Sequence, residues 1–228
     1  MTAWTVVVPV KSWSAAKSRL TELSTFERAG LARALAHDTV ETVLDTPSVQ
    51  HCIVVGEAAV CVELAELGAR TTFTSDSAGL AHALTQGRLR AAQEGAEATC
   101  LLVADLPLLT PRVLDDALCA VPTRGAGVVR DLAGTGTVML AARRGPLRPA
   151  FGPDSASRHL RTGAVDLSDR VDTRLRRDLD TPVDFAALVP RSGSRVAAWL
   201  RRSNADEAVP VSCPSGHAGG RALSVGGR

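Results

Sequence analysis

No apolar run in this 228-residue chain approaches the roughly 18–20 residues needed to cross a bilayer. The opening stretch, MTAWTVVVPVKSW, has no basic segment ahead of its short valine run, so it reads as a first β-strand and not as a secretion signal. The five cysteines (Cys52, Cys61, Cys100, Cys119 and Cys213) are scattered, with no CxxC pair and no metal-ligand spacing. Four of them lie in apolar segments, which predicts buried free thiols in a reducing cytoplasm. Familiar catalytic signatures are missing too. There is no GxxxxGK[ST], no GxGxxG, no GxSxG and no HExxH, which removes the Walker A loop, the dinucleotide fingerprint, the hydrolase triad and the zinc hydrolases.

A large excess of either charge is also absent. The 26 Lys and Arg against 24 Asp and Glu leave a net +2, and from Arg191 onward six arginines face only Asp206 and Glu207. Residues 1–190 are therefore slightly acidic, which argues against nucleic acid as the main partner. The chain is instead 45% apolar and 22% charged, the balance of a folded globular protein. Its length suits one sizeable α/β domain, or one domain with a tail.

Periodicity gives the order of elements. TVVVPV (5–10), HCIVVG (51–56), RTTFT (70–74) and TCLLVAD (99–105) are strand runs. Between them, 25–45, 58–68 and 78–95 have helical spacing, and PRVLDDALCAV (111–121) opens with proline at a helix start. GVVRD, TVMLAA, AVDLS and RRDLDTP follow as further strand-like runs at closer spacing, which predicts an antiparallel excursion in a mainly parallel sheet with helices on both faces. Residues 1–190 form the expected domain and 191–228 a basic, disordered tail, in which SRVAAWLRRS has the pattern of a short helix.

Ligands in such sheets bind beyond the carboxyl ends of the strands. Asp105 and Asp180 are both expected there, each at a strand end and each before a proline-containing turn. Either they cap the following helices, or they converge on a site for Mg²⁺, which takes one or two carboxylates with waters and phosphates. The loop after the first strand, VKSWSAAKSRL, carries Lys11, Lys17 and Arg19 and no acidic residue, which suits a triphosphate by charge. AGTGTVML (133–140) is either a hairpin turn or a glycine-rich approach to an anion. PAFGPDSASRHLRTGAV (149–165) leaves two readings as well. Ser155 caps a short helix bearing Arg158 and His159, or a helix start with free N–H groups and a hydroxyl holds an anion.

Together, VPVKSWSAAKSRL, ADLPLL, GTGTVML, RPAFGPDSASRHLRTGAV and RRDLDTPVDF, in this order over about residues 5–188, resemble the 2-phospholactate/phosphoenolpyruvate guanylyltransferases of coenzyme F-420 biosynthesis. FGPDSxxxH is the specific block, whereas DLP and DxDTP are shared with sugar-nucleotide transferases of the same fold. The resemblance implies a single α/β, Rossmann-like nucleotidyltransferase domain with a mixed, mostly parallel sheet. It implies that a phospho-acid attacks GTP and releases pyrophosphate, with Mg²⁺ held by Asp105 and Asp180 as the catalytic pair. Thr137, Gly152 and Ser155 would bind the phospho-acid, Lys11, Lys17 and Arg19 the GTP phosphates, and Gly79 and Leu80 the region of the base. The wording of FGPDS and the Ala- and Arg-rich composition favour phosphoenolpyruvate over 2-phospholactate.

One departure stands out. The family's Gly-Leu-Asn is Gly79-Leu80-Ala81 here, which leaves His82 or a backbone group to read the base. Two rivals remain open: a same-fold transferase for a sugar phosphate or molybdopterin acceptor, and a catalytically idle nucleotide-binding regulator. The FGPDSxxxH block speaks against the first, and retention of both aspartates and all three cations against the second. The expected setting is cytoplasmic, with small-molecule substrates, no membrane and no nucleic acid. A homodimer is compatible with the sequence.

Overall fold

The computed structural model describes residues 2–145, 147–188 and 193–207, with side chains as far as Ser203. Seven strands, β1 (Trp4–Pro9), β2 (Val49–Gly56), β3 (Arg70–Phe73), β4 (Ala98–Leu102), β5 (Ala126–Arg130), β6 (Thr137–Ala142) and β7 (Val165–Asp166), form one sheet in the order β3-β2-β1-β4-β6-β5-β7. β6 runs antiparallel to β4 and β5, and the other pairings are parallel. That strand is the expected antiparallel excursion. RRDLDTP is a correction: a 3-10 turn covers Thr173–Arg176 and no strand follows it among the described residues. β4 also ends at Leu102, so Asp105 lies three residues beyond the strand, although the Val103 N–H still reaches the Val138 carbonyl at 3.1 Å.

Seven helices are described: α1 (Thr25–Leu44), α2 (Ala58–Ala65), α3 (Leu80–Gln93), α4 (Pro111–Ala120), α5 (Ser155–Arg161), α6 (Pro182–Leu188) and α7 (Ser194–Glu207). Successive strand residues point to opposite faces, and β1 and β2 are apolar on both because both faces are covered. Val6, Val8, Cys52 and Val54 pack with α1, α2 and α4. Val7, Ile53 and Val55 pack with α3, Leu147 and Phe151 on the other side. Gly87 fixes how closely α3 lies on the sheet, since a Cβ there would come within 2.2 Å of Val7 Cγ1 and 2.7 Å of Val55 Cγ2. Helix interiors disfavour glycine by about 1 kcal/mol against alanine, so close approach is the reason for it here.

Local rules set the helix ends. Ser24 and Glu27 form a capping box at α1, and the Thr110 hydroxyl accepts from the Val113 N–H at α4, with Pro111 at the first helical position. Cys52, Cys61 and Cys100 are buried free thiols as expected, but Cys119 is exposed on the outer side of α4. The amphipathic α4 turns Val113, Leu114, Ala117 and Leu118 inward, and position 119 falls off that stripe.

The boundary expected after residue 190 does not coincide with a break in packing. α7 docks on α1: Val196 and Trp199 join Leu31, Ala34, Leu35, Leu20 and Leu179 in one cluster. Asp38 accepts the N–H groups of Arg195 and Val196, each at 3.0 Å, and so caps α7 from a neighbouring helix. Gly30 leaves room for the indole, whose Nε1 would lie 2.8 Å from a Cβ there. Residues 208–228, the remainder of the expected tail, lie outside the described residues. No helix among the described residues is long and apolar enough to cross a membrane.

Candidate active site

A cleft of about 640 Å³ opens where β1 is flanked by β2 on one side and β4 on the other. The strand order reverses there, and ligands of open α/β sheets bind at such points. Its walls come from the carboxyl end of β1 with the loop to Arg19, from Val103–Asp105 after β4, from Thr135–Thr137 at the start of β6, and from Phe151–Ser155. Lys11, Lys17, Arg19, Leu80, Asp105, Thr137, Gly152, Ser155 and Asp180 all line it. Gly79 lies instead in a small adjoining recess of about 40 Å³, which shares Lys11 and Leu80 with the cleft. Ala81 and His82 line neither, and His82 is exposed on α3.

Neither aspartate is a helix cap. Thr110 caps α4, and α6 has its own reciprocal box: Asp184 accepts from the Thr181 N–H at 2.9 Å, and the Thr181 hydroxyl accepts from the Asp184 N–H at 3.3 Å. Asp105 and Asp180 are thus left to face Lys17. Its ammonium lies 2.6 Å from Asp105 Oδ2, 2.5 Å from the Leu179 carbonyl and 3.5 Å from Asp180 Oδ1. One cation bridges both carboxylates, so those two oxygens are at most about 6 Å apart. Arg19 Nη1 lies 3.3 Å from the other Asp180 oxygen. Burial pulls the Lys17 ammonium toward neutrality, but the charges of Asp105 and Asp180 outweigh it and its pKa is raised. Lys17 also holds a left-handed backbone at φ +55, which is unfavourable for a residue with a Cβ and is sustained here by these contacts.

Two of the three cations expected to await a triphosphate are therefore engaged with carboxylates, and Lys11 is the one without a carboxylate partner among the described residues. Sequence reasoning missed Asp178, which lines the same wall. Burial first, then the Asp105 and Asp180 charges, push its carboxyl up to about 7. The D-x-D spacing was its signal, since alternate residues of an extended segment share a side. Among the described residues no three His, Cys, Asp or Glu side chains converge to cage an ion by themselves. The donor set of hard carboxylate oxygens around one exchangeable cation fits Mg²⁺ completed by water and phosphate oxygens.

On the opposite wall, the glycine-rich turn before β6 serves the chain itself. Asp131 accepts the N–H groups of Thr135 and Gly136 at 3.0 and 2.8 Å, and a Cβ at Gly136 would lie 2.3 Å from its Oδ2. The anion approached by that backbone is thus Asp131. The start of α5 also differs from expectation. Asp154, left-handed at φ +53, is the N-cap residue, and Ser155 is the first residue of the helix. The N–H groups of Ser155 and Ala156 go to the carbonyls of Gly152 and Thr135. Gly152, at φ +118, makes the turn and its own N–H is unused among the described residues. Ser155 is 1% exposed and lines the cleft, and its hydroxyl likewise makes no hydrogen bond among the described residues. Thr137, buried at 7% exposure, has its hydroxyl 2.9 Å from His159 Nδ1.

A cleft with two unengaged polar groups on one wall, the Gly152 N–H and the Ser155 hydroxyl, beside a Thr137 hydroxyl paired with His159, and with a cation–carboxylate cluster on the other wall, suits two anionic substrates. Known proteins have similar sequences. The phosphoenolpyruvate guanylyltransferase of Thermomonospora curvata is 41% identical over 204 residues, covering 87% of this chain and 89% of that protein. That of Salinispora arenicola is 45% identical over 188 residues, covering 80% and 86%. Solved structures share the fold at low identity. A cytidylyltransferase from Leptospira borgpetersenii superposes with a TM-score of 0.54 at 10% identity, covering 95% of this chain and 100% of that one. The 4-diphosphocytidyl-2C-methyl-D-erythritol synthase of Anaerococcus prevotii gives 0.51 at 9% identity, covering 88% and 97%. A family described as "Guanylyl transferase CofC like" matches residues 4–189, and the protein belongs to that family of guanylyltransferases.

Proposed function

We propose that the chain transfers GMP from GTP to the phosphate of phosphoenolpyruvate, releasing pyrophosphate, as a step toward coenzyme F-420. The observation that carries this is the division of the cleft, with Lys17 among Asp105, Asp178 and Asp180 on one wall and Thr137, Gly152 and Ser155 on the other. An acceptor oxygen of phosphoenolpyruvate forms a bond to the α-phosphorus of GTP, while the bond from that phosphorus to the β-bridging oxygen breaks. The acceptor phosphate is ionised at neutral pH, so no general base is required and catalysis is positioning plus charge neutralisation.

Asp105 and Asp180, with Asp178 beside them, are the residues that would hold Mg²⁺, whose chemistry there is to neutralise charge on the reacting phosphates. Lys17 then exchanges its carboxylate partners for nucleotide phosphate, together with Arg19 and the exposed Lys11. Thr137 and Ser155 donate hydroxyl hydrogens, and Gly152 its N–H, to the phospho-acid. The region of Gly79 and Leu80 receives the base, and with alanine at 81 and His82 outside the cleft the guanine edge is read by backbone. The reading makes this a cytoplasmic enzyme, since both substrates are cytoplasmic metabolites. Pyrophosphate release with Mg²⁺, testing GTP and ATP each against phosphoenolpyruvate, 2-phospholactate and 3-phosphoglycerate, is the test. Release with GTP and phosphoenolpyruvate alone supports the assignment; silence across the panel from folded protein refutes it.

A further inference from the structure

His159 lies behind the acid-binding wall, 1% exposed, with both ring nitrogens engaged. At Nε2 it accepts from the Ala150 N–H at 2.8 Å. A backbone N–H can only donate, so Nε2 carries a lone pair and no proton. A neutral imidazole then has its hydrogen on Nδ1. Nδ1 faces Thr137 Oγ1 at 2.9 Å, so the ring donates and the hydroxyl accepts. A threonine hydroxyl has one hydrogen and two lone pairs. With a lone pair taken by His159, that hydrogen is left to donate into the cleft that Thr137 lines.

We propose that His159 is a positioning residue that sets the direction of the Thr137 hydroxyl, making it an obligatory donor to the phosphate or carboxylate of the acceptor acid. The same ring fixes the turn that presents Gly152. The peptide group of Ala150 is held at both ends, its N–H by His159 and its carbonyl by Arg158 Nε and Nη2 at 3.1 and 2.8 Å. Phe151 adds an edge contact to the ring, with centroids 5.1 Å apart. Burial, then the neighbouring Arg158 charge, push the imidazole pKa down to about 4, which keeps it neutral at working pH. The opposite tautomer would set its Nε2–H against the Ala150 N–H and turn the Thr137 hydrogen toward the ring, presenting lone pairs to an anion. The histidine of FGPDSxxxH is thereby assigned a role that involves neither proton transfer nor contact with substrate.

This inference deepens the guanylyl-transfer reading and rests on it for the identity of the acid, so the test has one arm that needs no turnover. With ¹⁵N-histidine-labelled protein, imidazole nitrogen shifts at pH 7, assigned by loss of signal in His159→Phe, should show protonated Nδ1 and bare Nε2. A protonated Nε2 or an imidazolium overturns the proposal, whatever the protein catalyses. In the kinetic arm, His159→Phe keeps an aromatic ring at the site and removes both hydrogen bonds. It should raise KM for the phospho-acid roughly 10- to 100-fold, the range of one hydrogen bond to a charged group, with KM for GTP changed by less than about threefold. Thr137→Val should do the same, and the double variant should fall well short of the product of the two effects. Equal rises in both KM values, or fully multiplicative effects, would mean that His159 only supports the fold.

Discussion

Lys17→Met removes the ammonium bridging Asp105 and Asp180 and leaves those carboxylates, with Asp178 beside them, without their buried counter-charge. Breaking one partner of a buried pair costs about 3–5 kcal/mol. Lys17 is only 8% exposed but Asp180 is 43% exposed, so solvent screens part of the loss and the lower end, about 3 kcal/mol, is expected. The variant should then become a better divalent-ion site than the wild type, because Mg²⁺ no longer competes with an internal ammonium for the same oxygens. An ion at 100 times its Kd stabilises a fold by about 2.7 kcal/mol, enough to return most of the loss. Urea unfolding of both proteins in EDTA and in millimolar Mg²⁺ measures this. The variant should be the less stable by about 3 kcal/mol in EDTA and should gain more from Mg²⁺ than the wild type does. Equal gains, or no gain, would refute the claim that Lys17 and Mg²⁺ address the same carboxylates.

Other consequences can be tested separately. Asp105→Asn should abolish pyrophosphate release while far-UV circular dichroism stays unchanged; an unaltered rate would remove Asp105 from the catalytic machinery. Gly87→Ala should destabilise the protein by about 1–3 kcal/mol in chemical unfolding, the usual cost of forcing extra atoms into a packed core, because its methyl meets Val7 and Val55. Trp199→Ala should cost about 3–5 kcal/mol in the same assay, since the indole is buried against α1 and belongs to the domain core. For His159, the folded pKa of about 4 lies below the ordinary histidine value near 6.5, so the unfolded chain binds the extra proton between them. Its contribution is full above pH 6.5 and is lost as pH falls toward 4, about 3 kcal/mol in all. Asp178, raised to about 7, contributes the opposite slope, losing stability as pH rises from about 4 toward 7. The difference between wild type and His159→Phe, followed by unfolding at several pH values, isolates the histidine part. A difference that does not change with pH would contradict it.

Much of the fold was legible because the sheet's interior obeys local rules. Runs such as TVVVPV and TVMLAA are apolar at every position after the opening threonine only where helices cover both faces, and the capping residues around Ser24, Thr110 and Pro111 mark helix starts without tertiary help. The failures lie where distant segments meet. Asp180 followed no strand, since the 177–181 stretch is held by the Leu179 N–H on the Asp105 carbonyl at 3.1 Å and by Lys17, contacts between segments far apart in the sequence. α7 has a helical pattern, but its docking depends on Gly30, Asp38 and Trp199 together, and no window of sequence contains all three. In the cleft, the residue types were readable but their partners were not. The first loop carries its cations with no acidic residue nearby, because the aspartates that engage two of them come some 90 and 160 positions later. Gly136 looked like an anion-binding glycine, and the anion turned out to be Asp131.

Transfer of GMP to a phospho-acid, and not to water, is what separates this enzyme from a GTP hydrolase. ³¹P NMR of GTP and phosphoenolpyruvate incubated with the protein and Mg²⁺ follows every phosphorus at once. The GTP and phosphoenolpyruvate signals should be replaced by pyrophosphate and, in equal amount, by a pair of mutually coupled resonances from the new diphosphate bridge. Appearance of GMP or GDP with phosphoenolpyruvate left intact would contradict it.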